Sequence, residues 1–309
     1  MRVTHRMIVR TALRDMQNNM RSMASLQEQL SSGKRLHRPS DDPFAVERAL
    51  NFRSELQALE SSKRNIDLSL DWLNSGDAIM EQIGDIVIRA RSVGLRGADD
   101  TVGSAARQAL AAETSEMIGS MLQAANTSTQ GRYYFSGYQI DRISFTGLDA
   151  GGNPTDDPGA IASVVYNGDN GAIVREVEPG VSLKINLTGN EPWLDPTQSD
   201  SIWAVLIDLR DSLQADDSAG ARDALARMDS AMDRASQARA VIGAKVQRLE
   251  QAQSKLDSMT LGLEELLSKT ENVDMAEAVV NYSQQEAIYQ ASLRVNSRIL
   301  PMSLLDYLT

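Results

Sequence analysis

The chain contains only two imidazoles, His5 and His37, with which to move protons or hold zinc. No aspartate or glutamate shares a ligand-type helical spacing with both, so the sequence offers no zinc site. His37 lies in a polar linker and reads as a solvated residue there, neither ligand nor base. Two adjacent carboxylate pairs, Asp41-Asp42 and Asp156-Asp157, could be taken for cation ligands. A calcium loop needs oxygen ligands at fixed alternate positions, which neither stretch supplies, so both pairs read as capping and turn residues. Neither Gly151-Gly152 nor the stretch from Gly168 to Gly171 opens a helix with a following Lys-Ser/Thr, and a phosphate-binding loop is therefore absent. There are no cysteines, which excludes disulfides and thiolate metal sites. Asn126-Thr127-Ser128 and Asn186-Leu187-Thr188 fit the N-glycosylation acceptor pattern, which is short enough to arise by chance. No catalytic residue, metal or cofactor is expected.

Charge narrows the partners. A formal net charge of -11 and a pI near 4.8 provide no broad basic field for nucleic acid or for an anionic membrane surface. No apolar run approaches the roughly 18 residues of a membrane span. The segment from Met1 to Arg14 is polar and basic and lacks the apolar core of a signal peptide, so secretion by a cleaved signal is not expected.

With no chemistry to position, the elements themselves become the subject. Half of the 20 glycines and five of the eight prolines fall between Gly131 and Pro196, so helix breakers concentrate in one central segment. On its N-terminal side Phe52, Leu56, Leu59, Ile66, Leu70, Leu73 and Met80 follow a 4-3 alternation, with Lys63 and Asp77 at seam positions. On its C-terminal side Ile242, Val246, Leu249, Ala252, Leu256, Met259, Leu263 and Leu266 repeat that spacing with one shortened step. Two long helices and an elongated molecule are predicted. The extreme ends carry stripes as well: Val9, Leu13, Met16, Met20, Met23, Leu26 and Leu30, and Met275, Val279, Tyr282, Tyr289, Leu293 and Leu300. A further set, Ile288, Val295, Ile299 and Met302, makes the last helix apolar on more than one side. Such stripes pack either against the chain's own core or against other chains.

Between the first stripe and the long helix, Gly33 can end a helix in a left-handed conformation, and Pro39 keeps Arg38 extended. Asp42 suits an N-cap, with Pro43 at the first helical position. In the central segment Val181, Leu183, Ile185 and Leu187 alternate as a strand. Val164-Val165-Tyr166 and Ile173-Val174 flank Asn167-Gly168-Asp169-Asn170-Gly171 and predict a hairpin. A small β insert on a helical stem follows.

Leu30 through Leu36, with Ser32 and Gly33, followed by Pro39-Ser40-Asp41-Asp42-Pro43, resembles the N-terminal region shared by flagellins and flagellin-like hook-associated proteins. Gln130-Gly131-Arg132-Tyr133-Tyr134-Phe135-Ser136-Gly137 resembles the segment that ends the N-terminal helical region in the hook-associated protein 3 branch, where flagellins usually differ. Ala287 through Leu293 and the ending from Ser303, with Leu304, Leu305 and Leu308, are similar to the family's closing segment. The resemblance covers about residues 1–140 and 200–309.

It implies a mainly α fold: an elongated helical bundle or coiled-coil stem with paired terminal helices and a small inserted β domain. Residues 1–38 and 269–309 would form an inner terminal-helix domain, 39–130 and 199–268 the stem, and 131–198 the outer insert. It also implies an extracellular structural subunit of the bacterial flagellum. Such a subunit forms a homo-oligomeric ring at the hook-filament junction, between hook-associated protein 1 and flagellin, and leaves through the flagellar type III apparatus with an export chaperone. Assembly would then rest on Leu13, Met16, Met20, Met23, Leu26, Leu30, Val279, Tyr282, Tyr289, Leu293, Ile299, Leu300, Leu304, Leu305 and Leu308. Two other readings remain: flagellin itself, and a cytosolic coiled-coil scaffold for which the heptads alone suffice.

Overall fold

The computed structural model describes residues 5–299. In chain order the elements are α1 (His5–Ser32), α2 (Pro43–Gly97), α3 (Ser104–Ala125), β1 (Ser128–Thr129), β2 (Arg132–Tyr133), β3 (Phe145–Leu148), β4 (Ser163–Tyr166), β5 (Val174–Glu178), β6 (Val181–Lys184), α4 (Ile202–Gln214), α5 (Ser218–Glu271) and α6 (Met275–Ile299). They divide into two compact units, one from Leu59 to Leu256 and the other built from residues up to Ala58 and from Asp257 onward.

The Leu59–Leu256 unit holds the large core. Leu59, Ile66, Leu73 and Met80 on α2 are buried, as are Ile242, Leu249 and Leu256 on α5. Asp77, which interrupts the apolar stripe of α2, receives Arg239 of α5 at 2.9 and 3.0 Å, so a fork of two charge-assisted hydrogen bonds replaces a hydrophobic contact. Gln253 to Asp67 at 2.7 Å and Arg91 to Asp229 at 2.6 Å extend the same antiparallel pairing. α3 and α4 pack on one another, burying Leu110, Ile118 and Met121 against Trp203, Leu206 and Leu209. At their turn, Arg107 is 6% exposed and donates to Gly97 O at 3.0 Å and Asp99 O at 2.9 Å while pairing with Asp216. One guanidinium thus satisfies the Gly97 carbonyl at the end of α2, adds a second donor to Asp99 O in the turn after it, and ties both to the turn before α5.

The β insert consists of three antiparallel two-stranded ribbons, β1-β2, β3-β4 and β5-β6. The hairpin expected across Asn167–Gly171 does not form, because β4 pairs with β3 and β5 pairs with β6. The reason is local. Asp169 takes the backbone N–H groups of Tyr138 at 2.7 Å and Gly171 at 2.8 Å, folding the loop onto Gly137 and away from a two-strand turn. Gly137 has φ +69, and a Cβ there would collide with Asp169, so only glycine fits. Between β5 and β6 the turn that closes the hairpin is Pro179-Gly180, where Gly180 has φ +76 and donates to Glu176 Oε1 at 2.9 Å.

Side-chain amides finish the insert. Asn126 donates to Phe145 O and accepts from Phe145 N, both at 2.8 Å, as a neighbouring strand would. Asn186, 1% exposed, does the same between Gly171 O and Ile173 N. Phe145 lies 5.3 Å from both Tyr166 and Trp203, joining ribbon to helix. Burial pushes the Tyr166 phenol up to about 12; its hydroxyl reaches Phe135 O at 2.7 Å and Asp169 O at 2.8 Å.

Candidate assembly surface

The second unit is built differently. α1 ends at Ser32 because Gly33, φ +71, turns its N–H back to Gln29 O at 2.9 Å. Ser32 Oγ accepts from Lys34 N at 3.1 Å and stands 2.7 Å from His37 Nε2, so the half-buried His37 is held by the helix end and is not merely solvated. Asp41 accepts from the backbone N–H of Arg38 at 2.8 Å and of His37 at 3.1 Å. These bonds hold its carboxyl below the ordinary range. Asp42 caps α2 through Ala45 N at 3.0 Å, with exposed Pro43 following and exposed Pro39 and Ser40 in the bend before it.

The linker is stitched to the chain beyond α5. Arg35 N donates to Glu271 O at 2.7 Å and Val273 N to Gly33 O at 3.0 Å, on either side of a bridge between Lys34 and Asn272. The Glu271 side chain, 8% exposed, lies 2.7 Å from Arg53 and 3.4 Å from Lys34. Two cations therefore neutralise one buried carboxylate. Asp274 then caps α6 by accepting from Ala276 N at 2.9 Å and Glu277 N at 3.2 Å.

α1 and α6 pack as an antiparallel pair. Among the half-buried positions of α1, Val9, Ala12, Met16, Asn19, Met23, Leu26 and Leu30 make a strict 3-4 seam, with Gln29 half-buried beside its end. On α6 they are Ala278, Tyr282, Gln285, Tyr289, Ser292 and Asn296, of which Ala278 is fully buried. Leu13 and Met20, 47% and 49% exposed, and Val279 and Leu293, 54% and 41% exposed, lie off that seam. Val280, Ile288 and Val295 also face outward. The outer face of α6 is therefore more apolar than the face it turns to α1. Ile299 ends the helix, while Leu300, Leu304, Leu305 and Leu308 lie outside the described residues.

Grooves run along both flanks of the pair, one lined by Met7, Thr11, Ile288 and Val295, the other by Val9, Leu13 and Leu293. Among the described residues of this unit, the only fully buried apolar side chains are Ala45, Ala49 and Ala278. Every larger one keeps part of its surface in water. On α5 the seam beyond Leu256 continues through Thr260, Leu263, Leu267 and Thr270, which leaves Met259 and Leu266 of the expected stripe exposed. Ala252, the shortened step of that stripe, is buried, and the seam runs on from Leu256 with the regular 4-3 spacing.

Sequence reasoning missed Asn19, Gln285 and Ser292, which meet within the seam. Counting heptads from Val9 without regard to residue type would have found Asn19. No group of three or more histidine, aspartate or glutamate side chains suited to a metal exists among the described residues. The motif residues Gly131, Tyr133, Phe135 and Ser136 belong to the other unit. There Gly131 has φ +75 in the β1-β2 turn, Tyr133 is in β2, and Phe135 and Ser136 are buried beside Gly137.

Residues 3–140 match the bacterial flagellin N-terminal helical region and residues 225–308 the bacterial flagellin C-terminal helical region. The chain belongs to the flagellin family. As a flagellin-family chain it is a structural component of the bacterial flagellum, built to assemble with other flagellar parts. It is 23% identical to flagellar hook-associated protein 3 of Salmonella typhimurium, over 98% of both chains. It is 22% identical to the flagellar filament 33 kDa core protein of Treponema phagedenis, over 94% of this chain and 92% of that one. The fold matches the putative flagellar hook-associated protein from Vibrio parahaemolyticus with a TM-score of 0.65 and 20% identity, over 75% of this chain and all of that one. A flagellin-family fold of paired terminal helices, long helices and a small strand-containing segment is thus shared.

Proposed function

We propose that this chain forms the adaptor ring of the hook-filament junction, between hook-associated protein 1 on one side and flagellin on the other. The observation that carries an axial role is the unit formed by the chain ends, in which, among the described residues, Ala45, Ala49 and Ala278 are the only fully buried apolar side chains. Such a unit contributes little stability alone and gains its core when neighbouring copies cover its apolar faces. Leu13, Met20, Val279 and Leu293 are the described residues that would meet those neighbours, joined by Leu300, Leu304, Leu305 and Leu308. The end-to-end match to hook-associated protein 3, with the Gly131–Gly137 segment, favours the junction over the filament.

On this reading residues 1–38 and 269–309 make the inner layer, 39–130 and 199–268 the stem, and 131–198 the outward insert. Subunits leave the cell through the type III apparatus, escorted by a chaperone, and work outside it. No bond is made or broken by the protein, and shape alone is adapted between two lattices. Deleting the gene tests this: cells should carry hooks without filaments and release flagellin into the medium. Normal filaments would refute the junction role. Hooks bearing both junction proteins but no filament would identify the chain as flagellin.

A further inference from the structure

The α1–α6 seam is apolar on the α1 side at every position except one. Asn19 accepts from Gln285 Nε2 at 3.3 Å through its side-chain oxygen and donates to Ser292 Oγ at 3.4 Å. Gln285 Nε2 also reaches Asn19 O at 3.5 Å. Three polar side chains from two helices thus form one rung in a row of methionine, leucine, valine, alanine and tyrosine that is otherwise polar only at Asn296. A polar residue at a coiled-coil core position lowers stability but penalises every alignment that leaves it facing apolar neighbours.

We propose that Asn19, with Gln285 and Ser292, is the specificity determinant of the terminal pair, fixing the register of α1 on its own chain's α6. Lys34 faces Asn272 at the linker bridge. Fifteen residues back along α1, Asn19 faces the step between Gln285 and Ser292, thirteen to twenty residues on from Asn272, so bridge and rung lie on one antiparallel register. If α1 slipped by one heptad towards the start of α6, Asn19 would face Ala278 and Gln285, and Ser292 would lose its partner. Pairing of α1 with a second copy's α1 would likewise forgo both bonds. The rung acts within one chain, so its test does not depend on where that chain stands in the flagellum.

Because the chain has no cysteine, introduced pairs report alignment without background. Ala12, Met16 and Asn296 each line both flanking grooves and so sit on the seam. Ala12→Cys with Asn296→Cys reports the native register, and Ala12→Cys with Tyr289→Cys the slipped one. Oxidised under dilute conditions, the full-length chain should close the native pair about tenfold faster than the slipped pair. In Asn19→Leu/Gln285→Leu/Ser292→Leu that preference should fall to about threefold or less, with disulfide-linked dimers rising. The exchange Asn19→Gln/Gln285→Asn, which keeps the rung, should restore it. If the Leu variant retains the full preference, the linker bridge alone sets the register and the proposal is wrong. It is equally overturned if the unaltered rung shows no preference.

Discussion

Leu293→Glu separates folding of the chain from its assembly. In the single chain Leu293 is 41% exposed, so the carboxylate has water at hand and the melting temperature of the isolated protein should hardly move. In the proposed ring the remaining apolar surface would be covered. Burying a whole leucine contributes about 2 kcal/mol, so the share still available at 41% exposure is about 0.8 kcal/mol per subunit. The larger cost is electrostatic. A buried glutamate neutralises itself, and raising its carboxyl from about 4.3 to the ambient pH of 7 costs about 3.7 kcal/mol. Together these come to about 4.5 kcal/mol per subunit, on the order of a thousandfold in each subunit's association, repeated around the ring. At pH 5 the electrostatic part shrinks to about 1 kcal/mol, so acid should partly rescue assembly. The assay compares variant protein in the medium with variant protein on purified hook-basal bodies in the deletion strain. Full filaments at neutral pH, or failure that acid does not relieve while melting is unchanged, would refute burial of this face between copies.

Protease added to the isolated chain should cut within α1 and α6 well before the Leu59–Leu256 unit, since alanines are the only fully buried apolar residues in the described part of the terminal unit; mass spectrometry of the first fragments checks this. Arg107→Ala should lower unfolding free energy by about 2–4 kcal/mol, because it strands Gly97 O, takes from Asp99 O one of its two donors and leaves Asp216 unpaired, and urea titration measures the loss. Tyr166 has a folded pKa of about 12 against about 10 unfolded, so its contribution is complete below pH 10 and disappears as pH rises from 10 to 12. Tyr166→Phe should therefore show a shallower decline than the parent over that window when thermal melts are compared.

Signals that act over a few residues were legible before the structure. Gly33 ends α1 and Asp42 starts α2, because one glycine and one carboxylate decide the fate of adjacent backbone groups. The insert was harder to read. Val164-Val165-Tyr166 and Ile173-Val174 look like the arms of a hairpin, and only the distant Gly137 and Tyr138 explain why Asp169 folds the loop elsewhere. The seam of α6 was hidden for a different reason. Hydrophobicity selects Val279 and Leu293, whereas the helix turns Gln285 and Ser292 inward. A pattern that ranks residues by apolarity finds the face wanting the most cover, which here is not the face its own chain covers.

The two asparagine amides that finish the insert also restrict how the molecule can be decorated. Asn126 and Asn186 head two of the chain's three Asn-X-Ser/Thr sequences, the third being Asn281-Tyr282-Ser283 on α6, and each of those two has both its oxygen and its nitrogen committed to backbone partners. A sugar attached to either nitrogen would remove a donor and push a bulky group into a site that is closed at Asn186. Of the three, only the exposed Asn281 on α6 could carry a sugar on nitrogen without opening the fold. Loss of mass from a peptide carrying Asn126 or Asn186 on treatment with an amidase specific for asparagine-linked glycans would reveal an insert that had not closed.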